Sequence, residues 1–244
     1  GAASKGEYRH YMLKEIFEQP QMIEAVLEGR LSAHSVLVES FGPDAQALFQ
    51  RTRQVHIIAC GTSYHAGLVA RYWLERYAGV PVQVEVASEY RYRHPVVPEG
   101  TLFVTLAQSG ETADTLAALR YCEGKAARIL SVVNVPESSI ARESDLALPI
   151  HAGVEVGVAS TKAFTCQLVV LFALVLKAAR DRDAISAETF AERRSAPSLL
   201  DTALSLYRQN ADGSHELLAR NDDYYSEDSF LQMELSAGTY FVGV

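Results

Sequence analysis

The sequence predicts an α/β fold, a three-layer αβα domain on a doubly wound, five-stranded parallel sheet, followed by a short β-rich tail. Short apolar runs at Val55 to Ala59, Val82 to Val86, Leu102 to Leu106, Ile129 to Val133 and Leu146 to Ile150 alternate with helical stretches. Several are apolar on both faces, the pattern of strands in a parallel sheet covered on both sides by helices. After about residue 200 the texture changes to short runs broken by turn residues.

Residues 7 to 30 form a helical pattern, with Tyr11, Met12, Ile16, Met22, Ile23, Val26 and Leu27 recurring at three- and four-residue spacing. Pro20 divides it into two pieces, because proline lacks the N–H that an interior helical position uses. A second amphipathic helix covers about 43 to 52, and further helices fall at 63 to 78, 112 to 122 and 161 to 180. Right-handed crossovers place these on the two faces of the sheet. The expected organisation is an N-terminal helical segment over 1–40, the α/β domain over 41–200 and the tail over 201–244. In the tail, Leu204 to Tyr207 and Glu216 to Ala219 flank one turn, and Phe230 to Leu235 and Thr239 to Val244 flank another, as two hairpins.

With 244 residues and 48% hydrophobic side chains, the chain can bury a sizeable core. Its 22 Lys and Arg against 30 Asp and Glu give a formal net charge of -8, which opposes nucleic-acid binding. The most basic cluster, Arg91, Arg93 and His94 with Tyr90 and Tyr92, lies beside Glu85 and Glu89 and is expected to be a solvated surface. Cys60, Cys122 and Cys166 are too few and too scattered for a disulfide framework or zinc site, and fit free thiols in a reducing cytoplasm. The longest apolar stretch, Leu168 to Leu176, falls short of the ~18 residues of a membrane span and predicts a buried helix of a soluble protein. No signal peptide is visible, and the chain, starting at Gly1 and stopping after Val244, has the look of a piece at both ends. The nucleotide-binding glycine signatures are absent, no cofactor or metal is implied, and Asp222, Asp223, Glu227 and Asp228 lack EF-hand spacing.

In such a fold, ligands bind where the carboxyl ends of the strands lead into helix N-termini. After the first strand comes Cys60-Gly61-Thr62-Ser63, and after the third Ala107-Gln108-Ser109-Gly110-Glu111-Thr112. Each offers backbone N–H groups, uncharged side-chain donors and a helix dipole to one anion. Either alone is also an ordinary helix cap, but two side by side suit a phosphate monoester on a polyol. A third stretch, Glu155 to Lys162, leads into the longest helix with Ser160 or Thr161 as N-cap, and Lys162 pairs with Glu155 or attracts an anion. His56 is expected to be a core residue, while His65 could act either way. Cys60 is an outside candidate nucleophile, and Glu111 is either a base or a first-turn residue favouring its helix dipole.

These loops, with Ala113-Asp114-Thr115, Arg142-Glu143-Ser144-Asp145, Gly157-Val158-Ala159-Ser160-Thr161-Lys162-Ala163-Phe164 and the helix Tyr8-Arg9-His10-Tyr11-Met12-Leu13-Lys14-Glu15-Ile16, resemble the glutamine:fructose-6-phosphate aminotransferase (isomerizing) family from about residue 7 to 195. The resemblance implies the first of two sugar isomerase (SIS) lobes, with a five-stranded parallel sheet, in a cytoplasmic homodimer that makes glucosamine 6-phosphate from fructose 6-phosphate and glutamine. It implies that Ser63, Gln108, Ser109 and Thr112 hold the phosphate of fructose 6-phosphate, while Thr62, Val158 and Ser160 line the sugar. Ala107 stands where the family commonly has serine, at the expense of one hydroxyl contact. No position matches the family's catalytic residues, so the chain alone is expected to be inactive. The tail, Leu206 to Asp223 and Ser236 to Val244, resembles part of the β-sandwich prepeptidase C-terminal modules of secreted bacterial proteins and would be an incomplete foreign module. A phosphosugar-binding sensor without catalysis is the alternative, and a tail acting as an extracellular module is a third reading.

Overall fold

A computed structural model describes residues 4–28, 30, 36, 41, 44–186, 204–209, 215–221 and 240–243. Five strands, β1 (Gln54–Ala59), β2 (Val82–Val86), β3 (Thr101–Ala107), β4 (Arg128–Val133) and β5 (Leu146–Pro149), form the predicted sheet. All pairings are parallel, in the order β2-β1-β3-β4-β5. Every residue of β3 is buried, which explains why its sequence is continuously apolar or small rather than alternating.

The helices are α1 (Tyr11–Leu27), α2 (Ala45–Arg51), α3 (Gly61–Trp73), α4 (Ala87–Arg93), α5 (Ala113–Cys122), α6 (Ser139–Glu143) and α7 (Lys162–Asp181). Helices α1, α2 and α3 pack on α7, whereas α5 packs on α4 and α6, so two helical layers flank the sheet. A π-helical turn, Leu74–Ala78, continues α3 to the end of the predicted helix. Two helices, α4 and α6, were not predicted, because each is only a few residues long and lacks a repeating apolar face.

Pro20 does not divide α1, which runs through it. The carbonyl of Ile16 loses its N–H partner at Pro20, and the neighbouring Gln19 Nε2 donates to it at 3.1 Å. The basic cluster also differs from expectation. Tyr90 is fully buried in the core formed with Phe103, Ala118 and Leu119, while Arg93 pairs with Glu85 and Arg91 with Asp114 on the outside.

Helix α7, at 20 residues, is long and apolar enough by composition to cross a membrane, and 83% of its apolar window is buried within the fold. Trp73 and Tyr77 pack edge-on against its Phe172. The three cysteines are free, with Cys122 and Cys166 buried.

Contacts divide the chain into Gly1–Ala187 and Glu188–Val244, where the sequence placed the break near residue 200. In the second unit, β6 (Leu204–Gln209) pairs antiparallel with β7 (His215–Asn221), as the first predicted hairpin requires, with a bulge between Leu206 and Tyr207. On its other edge β6 pairs antiparallel with β8 (Tyr240–Gly243). The predicted strand Phe230 to Leu235 lies outside the described residues, as does the acidic stretch Asp222 to Asp228.

Candidate functional site

The strand order reverses between β1 and β3, since the chain leaves β1 toward β2 on one side and returns to β3 on the other. In open α/β sheets the crevice at the carboxyl end of such a switch point is where ligands bind. Ala59 pairs in register with Leu106, so the loops that follow them emerge side by side there.

In the first loop, Gly61 has φ +56°, a left-handed conformation that a Cβ would disfavour although none of its neighbours would be touched. Thr62 and Ser63 follow in the first turn of α3, Thr62 exposed and Ser63 half-buried. The buried Gln167 of α7 donates from Nε2 to Ser63 Oγ at 2.9 Å. That bond occupies a lone pair of the hydroxyl oxygen and leaves its O–H to donate toward an anion. Cys60 Sγ lies 4.0 Å from Thr115 Oγ1, a hydroxyl rather than a base, so the nucleophile reading gains no support.

The second loop repeats the device. Ser109 Oγ accepts from the N–H of Glu111 at 3.2 Å, which again leaves the hydroxyl proton free to donate, and Ser109 is exposed. Thr112 is the N-cap of α5 by backbone position, yet its side chain makes no capping bond. Its carbonyl accepts from Leu116 N at 2.9 Å. Gly110 has φ +68°, and a Cβ there would sit 2.0 Å from Ser138 Oγ. Glu111 turns away from its own helix to accept from the N–H of Ser139 at 2.7 Å, at the start of α6. That backbone bond holds its carboxyl below the usual carboxylate range. Glu111 therefore ties the second loop to the start of α6, and it precedes the N-cap of α5 instead of lying in the first turn.

The third loop is built differently. Glu155 accepts from Thr161 N at 2.8 Å, Ala163 N at 3.3 Å and Ser160 Oγ at 3.1 Å, and so caps α7 in place of the Ser160 or Thr161 side chain. Lys162 does not pair with Glu155; its Nζ meets Glu18 of α1 at 2.7 Å, and this lysine is the first cause of the lowered Glu18 pKa. Val156 N and Gly157 N donate to buried Glu15. Val158 is fully exposed, and Ser160, half-buried, commits its proton to Glu155, which leaves its oxygen as an acceptor.

A cleft of about 570 Å³ opens at the same end of the sheet, lined by Gln108, Ser109, Asn134, His151, Val154 and Glu155 among others. Of the residues nominated from sequence, Gln108 and Ser109 line it, while Thr62, Ser63, Thr112, Val158 and Ser160 do not. Asn134 is a residue that the sequence reasoning missed. Its N–H donates to Gln108 O at 3.2 Å, its Nδ2 donates to Gly153 O at 2.7 Å, and its Oδ1 accepts from Ala152 N at 2.9 Å. An amide directly after an apolar strand was the available signal. His151 sits at φ +49°, and burial lowers its pKa. His56 is a core residue, with Nδ1 3.0 Å from Tyr90 OH, which in turn lies 3.4 Å from Cys122 Sγ. Among the described residues no group of three or more His, Cys, Asp or Glu is arranged to hold a metal ion.

A doubly wound parallel sheet with two glycine- and hydroxyl-bearing loops at its switch point defines the class of the domain as three-layer α/β. The model of the SIS domain family matches residues 48–177, and the chain belongs to that family. It is 55% identical over 224 residues to the glutamine--fructose-6-phosphate aminotransferase [isomerizing] of Pseudomonas syringae pv. tomato, covering 89% of this chain and 36% of that protein. With the protein of the same name from Pseudomonas aeruginosa it shares 58% identity over 214 residues, covering 85% of this chain and 35% of the relative. The chain thus spans about a third of the length of these relatives. Among solved structures, the C-terminal domain of glucosamine-fructose-6-phosphate aminotransferase from Francisella tularensis superposes with TM-score 0.76 at 48% identity, covering 79% of this chain and 54% of that one.

Proposed function

We propose that this chain is a fructose-6-phosphate-binding lobe of a glutamine:fructose-6-phosphate aminotransferase, working in the cytoplasm as part of a homodimer. The carrying observation is the pair of loops at the β1/β3 switch point, whose serine oxygens are occupied by internal donors. In this reading one phosphate is held by Gln108 and Ser109, which line the cleft, together with the hydroxyls of Ser63 and Thr112 outside that lining and the N-termini of α3 and α5. Thr62, Val158 and Ser160 line the sugar, with the Ser160 oxygen accepting from a sugar hydroxyl. No lysine or arginine is needed, because partial charges at helix ends and several neutral donors share the anion. Amination and isomerisation then use catalytic groups supplied from outside this chain.

Calorimetric titration of the purified chain with fructose 6-phosphate, fructose and inorganic phosphate tests the reading. Saturable binding that needs both sugar and phosphate, and weakens about tenfold in Ser109→Ala, is expected for the loss of a charge-assisted hydrogen bond. A folded chain that ignores fructose 6-phosphate, or a Ser109→Ala variant that binds it equally well, would sink the assignment.

A further inference from the structure

We propose that Glu15, on α1, is a positioning residue that sets the shape of the sugar-lining loop; the part of this that concerns ligand binding rests on the function proposed above. Glu15 is 2% exposed, and among the described residues it forms no salt bridge. A buried carboxylate without hydrogen-bond donors is costly, so its surroundings must supply them. The donors are backbone groups of the third loop, Val156 N at 2.6 Å and Gly157 N at 3.0 Å to Oε1, with Gly157 N also 3.2 Å from Oε2.

The loop has little else to fix it at this point. Val154, Val156 and Val158 are all exposed, so burial of apolar side chains does not select one conformation there. Gly157 is required by the contact itself, since a Cβ would lie 2.5 Å from Glu15 Oε2 and 3.5 Å from the Met12 backbone. Val158 follows directly, so fixing the peptide at 156–157 fixes where it faces, while Glu155 holds Ser160 beyond it. The phosphate loops have no bond to Glu15. Removing its carboxylate should therefore cost affinity for the sugar and spare affinity for the phosphate.

Two substitutions and two readouts test this in the full chain. In Glu15→Ala, the amides of Val156 and Gly157 should exchange with solvent about tenfold faster, as expected when local opening is no longer opposed. Fructose 6-phosphate should bind about tenfold more weakly, while inorganic phosphate binds unchanged. Glu15→Gln keeps an oxygen where both N–H groups already converge, so it should stay within about threefold of the parent in both measurements. Unchanged exchange at 156–157 in Glu15→Ala overturns the proposal. So does a parallel loss of inorganic phosphate affinity, which would make Glu15 a general support of the fold. If the parent itself fails to bind fructose 6-phosphate, the functional reading falls, and the exchange measurement alone decides whether Glu15 holds the loop.

Discussion

The loops at the switch point and the loop before α7 carry the same kinds of residue, small and hydroxylated, yet their shapes have different origins. The first two are turned mainly by their own residues: Gly61 and Gly110 supply the left-handed conformations, and Ser109 accepts from Glu111 two residues on. The third is shaped from a distance. Glu15, Glu18 and Gln19 of α1 contact Val156, Gly157, Lys162 and Thr165, more than a hundred residues away in sequence. The first two loops thus take their turns from their own glycines and add ties to α6, α7 and the residue after β4, whereas the third, capped locally by Glu155, also leans on α1.

The sharpest way to break this comparison is Gly110→Ala. The new methyl meets Ser138 Oγ at 2.0 Å and Ser138 Cβ at 2.4 Å on top of a left-handed φ, so a loss of about 3 kcal/mol is expected in urea unfolding. Gly61→Ala meets nothing within 4 Å and should cost only about 1 kcal/mol, the backbone penalty alone. Equal losses at the two positions would mean that Ser138 moves aside and that the second loop is as unconfined as the first.

A smaller effect is expected at Gln167, which ties the first loop to α7. Gln167→Leu replaces a buried amide by a side chain of similar size, and frees the Ser63 hydroxyl to turn inward. Fructose 6-phosphate binding should weaken about fivefold, roughly 1 kcal/mol for one oriented hydrogen bond. In a double-mutant cycle with Ser63→Ala the two losses should not add, because they remove one interaction. Additive losses would place Gln167 and Ser63 in separate roles.

The same contrast explains what could be read from the sequence. All five strands, the helices that span several turns and the turns after β1 and β3 were legible, because each depends on local patterns: apolar runs, glycine after a strand, hydroxyls before a helix. Helices α4 and α6 escaped because they are too short for periodicity to show. The route of Lys162 escaped for another reason. Glu155 is its near neighbour in sequence, but that carboxylate is consumed by the N-terminus of α7, and the lysine finds Glu18 instead. Pro20 misled although its neighbour Gln19 takes over the Ile16 carbonyl, since the contact of the other side-chain end with Thr165 leaves no local pattern. Contacts between α1 and the third loop are properties of the folded chain.

The smallest predicted effect is a dependence on pH confined to that long-range tie. Lys162 holds the Glu18 carboxyl below its ordinary value of 4.5, so the folded state binds that proton less readily than the unfolded chain does. The ion pair therefore contributes stability that is present above pH 4.5 and is lost as pH falls through the lowered folded value. The side chains are 5% and 26% exposed, and solvent screening limits the contribution to less than about 1 kcal/mol. Glu18→Gln should accordingly be slightly less stable than the parent at pH 7, and the two should converge below pH 4. The buried His56 adds a second acid-dependent loss, beginning as pH falls through 6.5, because its imidazole resists protonation in the core. That loss is common to both proteins and cancels in the difference, as does the contribution of Glu111. A stability difference that stays constant from pH 7 to pH 3 would show that Glu18 supports the loop by packing alone, and would leave its charge without a part in holding α1 to α7.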